Sequence, residues 1–508
     1  MEKSFVHPYM PNSVPEIRRQ LLDELGVEDV KEIYGSIIPD ELLFKERLNL
    51  PEPIRSEYEL KKHVTGILNK NVSTEEYASF LGAGCYKHQV PAVCDEINTR
   101  GEFLTAYCGD TYSDHGKMQA IFEYTSMMGE LLDADVVSYT TYDAGQSVCS
   151  AFRMAVRIQS SSEESSVENG DADKEQDKGR TVILVPDMMN PEIYSQAVSY
   201  CRNVSEIIKV GHDERGLMAL EELEERLKEG NAAAVFYENP SYLGFFETQA
   251  EKIAELAHQY GAVCIAQPQV SALGIMESPM NLGADIVCGD IQPLGMHMQY
   301  GGGQAGFIAS HQKLEYMEQF PTYMYGIAKT DKADTYGWGR AMNYRCSHGS
   351  REKANEYFGT ETGLWGITAG VYLASMGPQG MYELGETIIQ NLKYLTVRLN
   401  GIEGVRANPL GGSNFQEVLV DFSATGKSVT EINKALLECR IFGGKDVSGE
   451  FPWLGQCALY CVSELTTQDE MDALADALRR IVTEERDVDL QAGKRDAADS
   501  EPQAAKEV

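Results

Sequence analysis

Two glycine-rich runs carry most of the residue types that do chemistry. Leu81-Gly-Ala-Gly-Cys-Tyr86-Lys-His88 sets a glycine-rich turn before a phenol, an ammonium and an imidazole. Such a segment can present backbone N–H groups and side chains to an anion, or it can be a plain turn between helices. Gly301-Gly-Gly303-Gln-Ala-Gly306 matches the spacing of a dinucleotide loop. That chemistry needs a strand before the loop and a helix after it. Phe307-Ile-Ala-Ser follows instead and reads as strand, so the run is read as a tight turn where backbones approach closely. There is no Walker A run, no HExxH, no EF-hand loop and no G-x-S-x-G elbow, and the nine histidines, among them His88, His115, His297 and His348, are dispersed. No metal site is expected.

The elements that must position such residues alternate. Thr181–Val185, Glu206–Val210, Ala232–Tyr237, Ala262–Ala266 and Ala284–Cys288 read as strands. Pro191–Cys201, Leu217–Leu227 and Gln249–Tyr260 read as helices between them, the last with Ile253, Leu256, Ala257 and Tyr260 on one face and Gly261 as its stop. Ala232-Ala-Ala-Val-Phe-Tyr237 is apolar on both sides, as a strand covered on both faces must be. Repeated units of this length predict an α/β fold with a mostly parallel sheet between helix layers.

Before them, Ser13-Val14-Pro15-Glu16 predicts a capping box, Ile17, Leu21, Leu22 and Leu25 a helical stripe, and Gly26 its end; a second short helix is read at about 28–34. The domains expected are an N-terminal arm (1–60), a large domain (61–375), a smaller C-terminal α+β domain (376–486) and a polar tail (487–508). Residues 159–178, rich in Ser, Glu and Asp, are expected to form a disordered acidic insertion.

The 508 residues carry 44 basic and 78 acidic side chains, a formal charge of −34. That balance argues against nucleic acid or an anionic membrane surface as partner. No run of apolar residues is long enough to span a bilayer, and the opening Met1–Tyr9 lacks the apolar stretch of a secretory signal. The eleven cysteines show no CxxC pairing, and Cys85, Cys94, Cys149, Cys264, Cys288 and Cys457 sit among apolar residues. Reduced buried thiols and a cytoplasmic location are the expectation.

At the level of whole segments the chain resembles a known family. HPYMPNSVPEIRRQLL (7–22), GVEDVKEIY, IPDELLFKERLNLPEP, FLGAGCYKHQVPAV, MQAIFEYTSMMGELLDADV, NPSYLGFFE and GADIVCGDIQPLGMHMQYGGGQAGFIAS follow one another in register with the alpha subunit (subunit 1, the N-terminal half) of the glycine cleavage P-protein. The resemblance implies a fold-type-I pyridoxal-phosphate (PLP) transferase-like architecture. It also implies a complex, an α2β2 assembly with a beta subunit that carries the PLP. That complex decarboxylates glycine and passes the aminomethyl group to the lipoyl arm of the H-protein.

A PLP enzyme needs a lysine for the internal Schiff base and an acid facing the pyridinium nitrogen. Where the acid would end a strand, this chain has Ala262-Val-Cys-Ile-Ala-Gln267-Pro-Gln269. Where the lysine would follow the next strand, it has Gly289-Asp-Ile-Gln292-Pro, and the next lysine is Lys313. The expectation is a chain that binds no cofactor covalently, is inactive alone, and shapes a site shared with its partner. The candidates for that site are Tyr86, His88, Tyr107, Tyr112, His115, Tyr142, Asp143 and Gln292, since phenols and imidazoles can donate to a carboxylate or phosphate and move protons. Departures from the family pattern fall at Cys108–Lys117, at Ala144 where a glycine is usual, and after Ser350-Arg-Glu-Lys-Ala354. They keep two alternatives in view, a silent regulatory paralogue and a divergent decarboxylase of another amino acid.

Overall fold

The structure is a computed structural model that describes residues 6–46, 48–104, 115–167, 179–301, 303–359 and 361–498. The chain divides into two compact units, Met1–Val72 and Ser73–Val508.

The described residues of the first unit include the α-helices α1 (Pro15–Leu25), α2 (Val30–Gly35) and α3 (Glu57–Leu68). Gly26 ends α1 in the left-handed conformation, as its sequence position implies. The capping box predicted at Ser13–Glu16 does not form. Ser13 closes a 3-10 turn over Pro11–Ser13, its Oγ accepts the His7 N–H at 2.9 Å, and Val14 takes the cap position of α1 without a side-chain bond. The box forms one helix later, where Asp29 and Glu32 satisfy each other's backbone at the start of α2.

In the second unit, β1 (Ala78–Ser79), α4 (Ala92–Asn98) and α5 (His115–Leu132) precede the sheet-forming region. There β2 (Val136–Val137), α6 (Ala144–Val167), β3 (Val182–Pro186), α7 (Pro191–Cys201), β4 (Glu206–Val210), α8 (Leu220–Lys228), β5 (Ala232–Asn239), α9 (Ala250–Gln259), β6 (Val263–Pro268), β7 (Ile286–Asp290) and β8 (Gly306–Ser310) follow in turn. Seven strands form one sheet in the order β2-β8-β7-β6-β5-β3-β4. The central pairs are parallel; β8 runs antiparallel to both β7 and β2. All eight residues of β5 are buried. Val235 and Tyr237 join the core on one face and Ala234 and Phe236 the core on the other, as the strand period demands.

Two glycines of the run, Gly303 and Gly306, sit where no side chain fits. A Cβ on Gly303 would meet the His297 carbonyl at 2.3 Å, and one on Gly306 would sit 2.2 Å from both Ser147 Oγ and Thr141 Oγ1. Strand β8 follows directly, and no helix opens there.

After α10 (Leu314–Met317), a hairpin of β9 (Met324–Lys329) and β10 (Tyr336–Ala341), and α11 (Ser347–Ser350), the chain enters α12 (Gly363–Asn400). Gly377, at φ 61°, and Pro378 split α12 into two helical lengths. A second sheet then forms from β11 (Arg406–Ala407), β12 (Glu417–Asp421), β14 (Lys445–Asp446) and β15 (Cys457–Cys461), in the order β11-β12-β15-β14 and antiparallel throughout. Helix α13 (Val429–Glu438) and strand β13 (Ile441–Phe442), which pairs parallel with β1, complete this part. Helix α14 spans Gln468–Ala498, so the segment read as tail from 487 begins as helix; likewise α6 continues through Val167, past the expected start of the acidic insertion.

The ten described cysteines are free thiols, and of the six read as lying among apolar residues only Cys85 is not buried. Among the described residues no helix is long and apolar enough to cross a membrane.

Candidate active-site cavity

The parallel strands all end on one side, and the side chains at those ends meet there. Strand β5 delivers Glu238, β6 delivers Gln267, β7 delivers Asp290, and Asp143 precedes the first turn of α6. Gln416 and Glu417 enter from the small sheet, and Ala83–Tyr86 from the loop after β1. Together they line a cavity of about 200 Å³. This is where ligands bind in open parallel sheets.

Carboxylates and carboxamides make up most of the polar lining. Glu238 accepts from the backbone N–H groups of Asn190 and Tyr242 at 3.2 Å. Glu417 accepts from Ala83 N–H at 2.5 Å and from the Tyr86 hydroxyl at 3.0 Å. Asp290 accepts from Gln292 N–H at 2.7 Å. Burial is the largest influence on each, and it pushes all three carboxyls up to about 7. Asp143 adds repulsion at Asp290, and the charge of Lys445 partly offsets burial at Glu417. Lys445 itself donates to the Tyr242 hydroxyl at 2.6 Å and to Glu450 at 2.8 Å, while the Tyr242 hydroxyl donates to Glu450 at 2.8 Å. No lysine, arginine or histidine is among the described residues lining the cavity.

Two of the predicted residues form a clamp under it. Gln292, fully buried, accepts the Tyr86 N–H at 3.1 Å and donates to the carbonyls of Tyr86 and Met296, each at 3.0 Å. His88 lies behind the lining. Gln416 Nε2 can only donate, so His88 accepts at Nε2 (3.1 Å) and its Nδ1–H points to Glu464 at 2.8 Å. Burial pushes the Glu464 carboxyl up, but His88 and the Gln89 N–H outweigh it and hold it below the usual range. Gln269 Nε2 donates to Gln416 Oε1 at 3.0 Å and extends the chain to the cavity wall.

Asp143 lines the cavity, and its Oδ1 caps α6 by accepting the Gln146 N–H at 2.7 Å. Tyr142 is elsewhere: it stacks on Phe358 with centroids 5.3 Å apart, and its hydroxyl accepts the Gly359 N–H at 2.9 Å. Tyr107, Tyr112 and the His115 side chain fall outside the described residues. The structure thus brings Tyr86, Asp143 and Gln292 together, with His88 one layer back.

Sequence reasoning missed Glu238, Glu417 and Asn190. One signal was present: Glu238 directly follows a wholly apolar strand, where a buried charge needs a reason. Glu417 gave none, because only the fold brings it to Ala83 and Tyr86. Among the described residues no cluster of three or more His, Cys, Asp or Glu is placed to hold a metal ion.

A seven-stranded, mostly parallel sheet with a small antiparallel domain, and a cavity at the strand ends between them, defines a fold-type-I PLP-transferase-like chain. Solved structures share that fold at 13% identity, among them a sphingosine-1-phosphate lyase of Burkholderia pseudomallei (TM-score 0.60, covering 91% of this chain and 99% of that one) and a NifS-like protein (TM-score 0.59, 80% and 99%).

The model of one family, described as glycine cleavage system P-protein, matches residues 7–475, and the chain belongs to that family. Its sequence is 35% identical over 477 residues to a probable glycine dehydrogenase (decarboxylating) subunit 1 of Pyrococcus horikoshii, covering 93% of this chain and 99% of that one. The counterpart in Brevibacillus brevis is 33% identical over 478 residues, with 93% and 98% covered. A crystal structure of glycine decarboxylase (P-protein) of the glycine cleavage system, in inhibitor-bound form, superimposes with a TM-score of 0.77 at 26% identity, covering 94% of this chain and 100% of that one.

Proposed function

We propose that this chain is subunit 1 of a two-chain glycine decarboxylase, and that it completes the enzyme without holding the cofactor. The family match supports the reaction, and the Gln292–Tyr86 clamp carries the division of roles. The lining does not fit PLP. It offers carboxylates and carboxamides where the cofactor needs an amine for its aldehyde and cationic or N–H partners for its phosphate. The Gln146 N–H at the start of α6, suited to an anion, is already taken by Asp143. Gln267, a neutral carboxamide, stands where a carboxylate would hold the pyridinium proton.

In this reading the partner beta subunit carries PLP and the complex assembles as α2β2. Glycine is decarboxylated, and the aminomethyl group passes to the lipoyl arm of the H-protein. This chain supplies shape and positioning. Tyr86, Asp143 and Gln292, with His88 behind them, fix the floor of its own cavity. Tyr142, Tyr107, Tyr112 and His115 remain candidates for reaching the shared site. The domain division proposed alongside is an arm, a large domain and a small domain after about residue 375; Gly377 breaks α12 close to that boundary.

The test is visible absorbance with added PLP, followed by borohydride reduction and location of the label. The expected result is no Schiff-base band with the chain alone, a band in the co-expressed complex with the label on the partner, and exchange of labelled bicarbonate into the glycine carboxyl only in the complex. A reducible band on this chain, or exchange by this chain alone, overturns the reading.

A further inference from the structure

The cavity at the strand ends offers acceptors that are set apart from one another. Strands β5, β6 and β7 are neighbours in the sheet, and Glu238 and Gln267 are register partners. Two strand spacings, about 10 Å, therefore separate the strand that carries Glu238 from the strand that carries Asp290, with Gln267 on the strand between. Gln267 and Ser241 both line the cavity, and their Oε1 and Oγ atoms are buried with no hydrogen-bond partner among the described residues. Behind the same wall the Tyr237 hydroxyl, on a side chain 1% exposed, is likewise unpartnered, beside a void of about 10 Å³ that shares Glu238 and Ser241 with the cavity. Buried polar atoms of this kind are costly alone, so they point to a molecule that brings N–H or O–H groups to them. Ile193, Pro268 and Phe415 add apolar surface to the lining.

We propose that this cavity binds a short aliphatic diamine, one ammonium at Glu238, the other at Asp290 and Asp143, with Gln267 between them and Glu417 facing from the small sheet. The inference goes beyond the decarboxylase reading and rests on it in one respect, that this cavity holds no PLP. Size agrees: a cavity of roughly 150 Å³ accepts a six-carbon ring, and this one measures about 200 Å³. A metal ion needs acids that converge, and among the described residues no three are placed to hold one. An amino acid would bring its own carboxylate to a lining without a lysine, arginine or histidine. Two separated charges on an alkyl chain suit separated carboxyls and an apolar wall. The bound cation favours the ionised acids, whereas burial alone holds Glu238, Asp290 and Glu417 near 7. Glu238 faces the N–H groups of Asn190 and Tyr242, Asp290 faces Asp143 and Cys85, and Glu417 faces Tyr86, Cys461 and Lys445. Binding therefore releases protons and tightens as pH rises through about 7.

The test is calorimetric titration of the full chain with 1,4-diaminobutane, with 4-aminobutanoate and 1,4-butanediol as probes of the same length, at pH 6 and pH 8. The expected result is one diamine per chain, bound at least tenfold more tightly than either other probe and at least tenfold more tightly at pH 8 than at pH 6. Proton release is read from the dependence of the heat on the buffer. Glu238→Gln and Asp290→Asn, which keep the shape and remove the charge, should each weaken the diamine at least tenfold and leave the circular dichroism unchanged. Absence of saturable diamine binding at millimolar concentration overturns the proposal. So does equal binding of the diol or of 4-aminobutanoate, a comparison that needs no variant to fold, or full-strength binding by both variants. The PLP absorbance test reports separately. A reducible band on this chain sinks the earlier reading, whereas a failed diamine titration without such a band sinks only this one.

Discussion

Gln292 and Tyr86 hold each other in both directions, the Tyr86 N–H donating to Gln292 Oε1 at 3.1 Å and Gln292 Nε2 donating back to the Tyr86 carbonyl at 3.0 Å. The side chain just beyond β7 is thereby committed to the backbone of the glycine-rich loop. Replacing it tests what the commitment is worth. Gln292→Ala leaves a buried N–H and two carbonyls without this partner and is expected to cost about 2–4 kcal/mol, read by denaturant unfolding. Gln292→Lys is expected to destabilise similarly and still to form no Schiff base with PLP, because no lysine, arginine or histidine is among the described residues lining the cavity to hold the cofactor's phosphate. A stable, yellow Lys variant would refute this.

The three cavity carboxyls give the fold a pH signature. Glu238, Asp290 and Glu417 titrate near 7 in the folded chain and near their ordinary values when unfolded. The native state therefore holds more protons between about pH 4 and 7. Their contribution is fully present below the unfolded values and is lost as pH rises through about 7. Unfolding free energy should fall across pH 5 to 8, by roughly 1–3 kcal/mol per group. Glu417→Gln should flatten the slope, and an unchanged slope in that variant would count against this assignment.

Lys445 tunes the same titration. Its ammonium bonds Tyr242 and Glu450 and draws the Glu417 carboxyl downward. In Lys445→Met the step near pH 7 should move to higher pH, with about 1 kcal/mol of stability lost at neutral pH from the broken pair. A step that stays in place would mean that the Lys445 charge does not reach Glu417.

Gly244 joins the two sheets. At φ +86° its missing Cβ would lie 2.2 Å from the Glu417 carbonyl oxygen, a backbone atom that cannot step aside. Gly244→Ala is expected to destabilise by about 2–4 kcal/mol and to displace Glu417 from Ala83 and Tyr86, which would also weaken the pH signature. A variant as stable as the parent would show that the approach can relax.

Much of the fold was legible because its signals are local. The β5 run was readable as a strand covered on both faces because none of its apolar residues needs a solvent side, and Gly26 because only a left-handed cap suits it there. Helix starts were harder: Ser13 and Asp29 offer the same capping chemistry, and only the turn at Pro11–Ser13 diverts the first. That no lysine stands between Gly289 and Lys313, and that a glutamine, Gln267, stands near the end of β6, could be read directly. The acidic character of the cavity could not, since Asp143, Glu238, Asp290 and Glu417 lie far apart in the chain and their titration depends on burial that only packing creates. Tyr142 shows the converse. It adjoins Asp143 in sequence, yet it stacks on Phe358 outside the cavity lining.

The Asp143 carboxylate on the Gln146 N–H has a further meaning. A helix start of this kind is a fixed positive pole seeking a counter-ion. Here the counter-ion is covalently part of the chain, present at an effective concentration no diffusing phosphate can match. The first turn of α6 is therefore electrically settled as soon as the protein folds. Its order does not call for a bound anion.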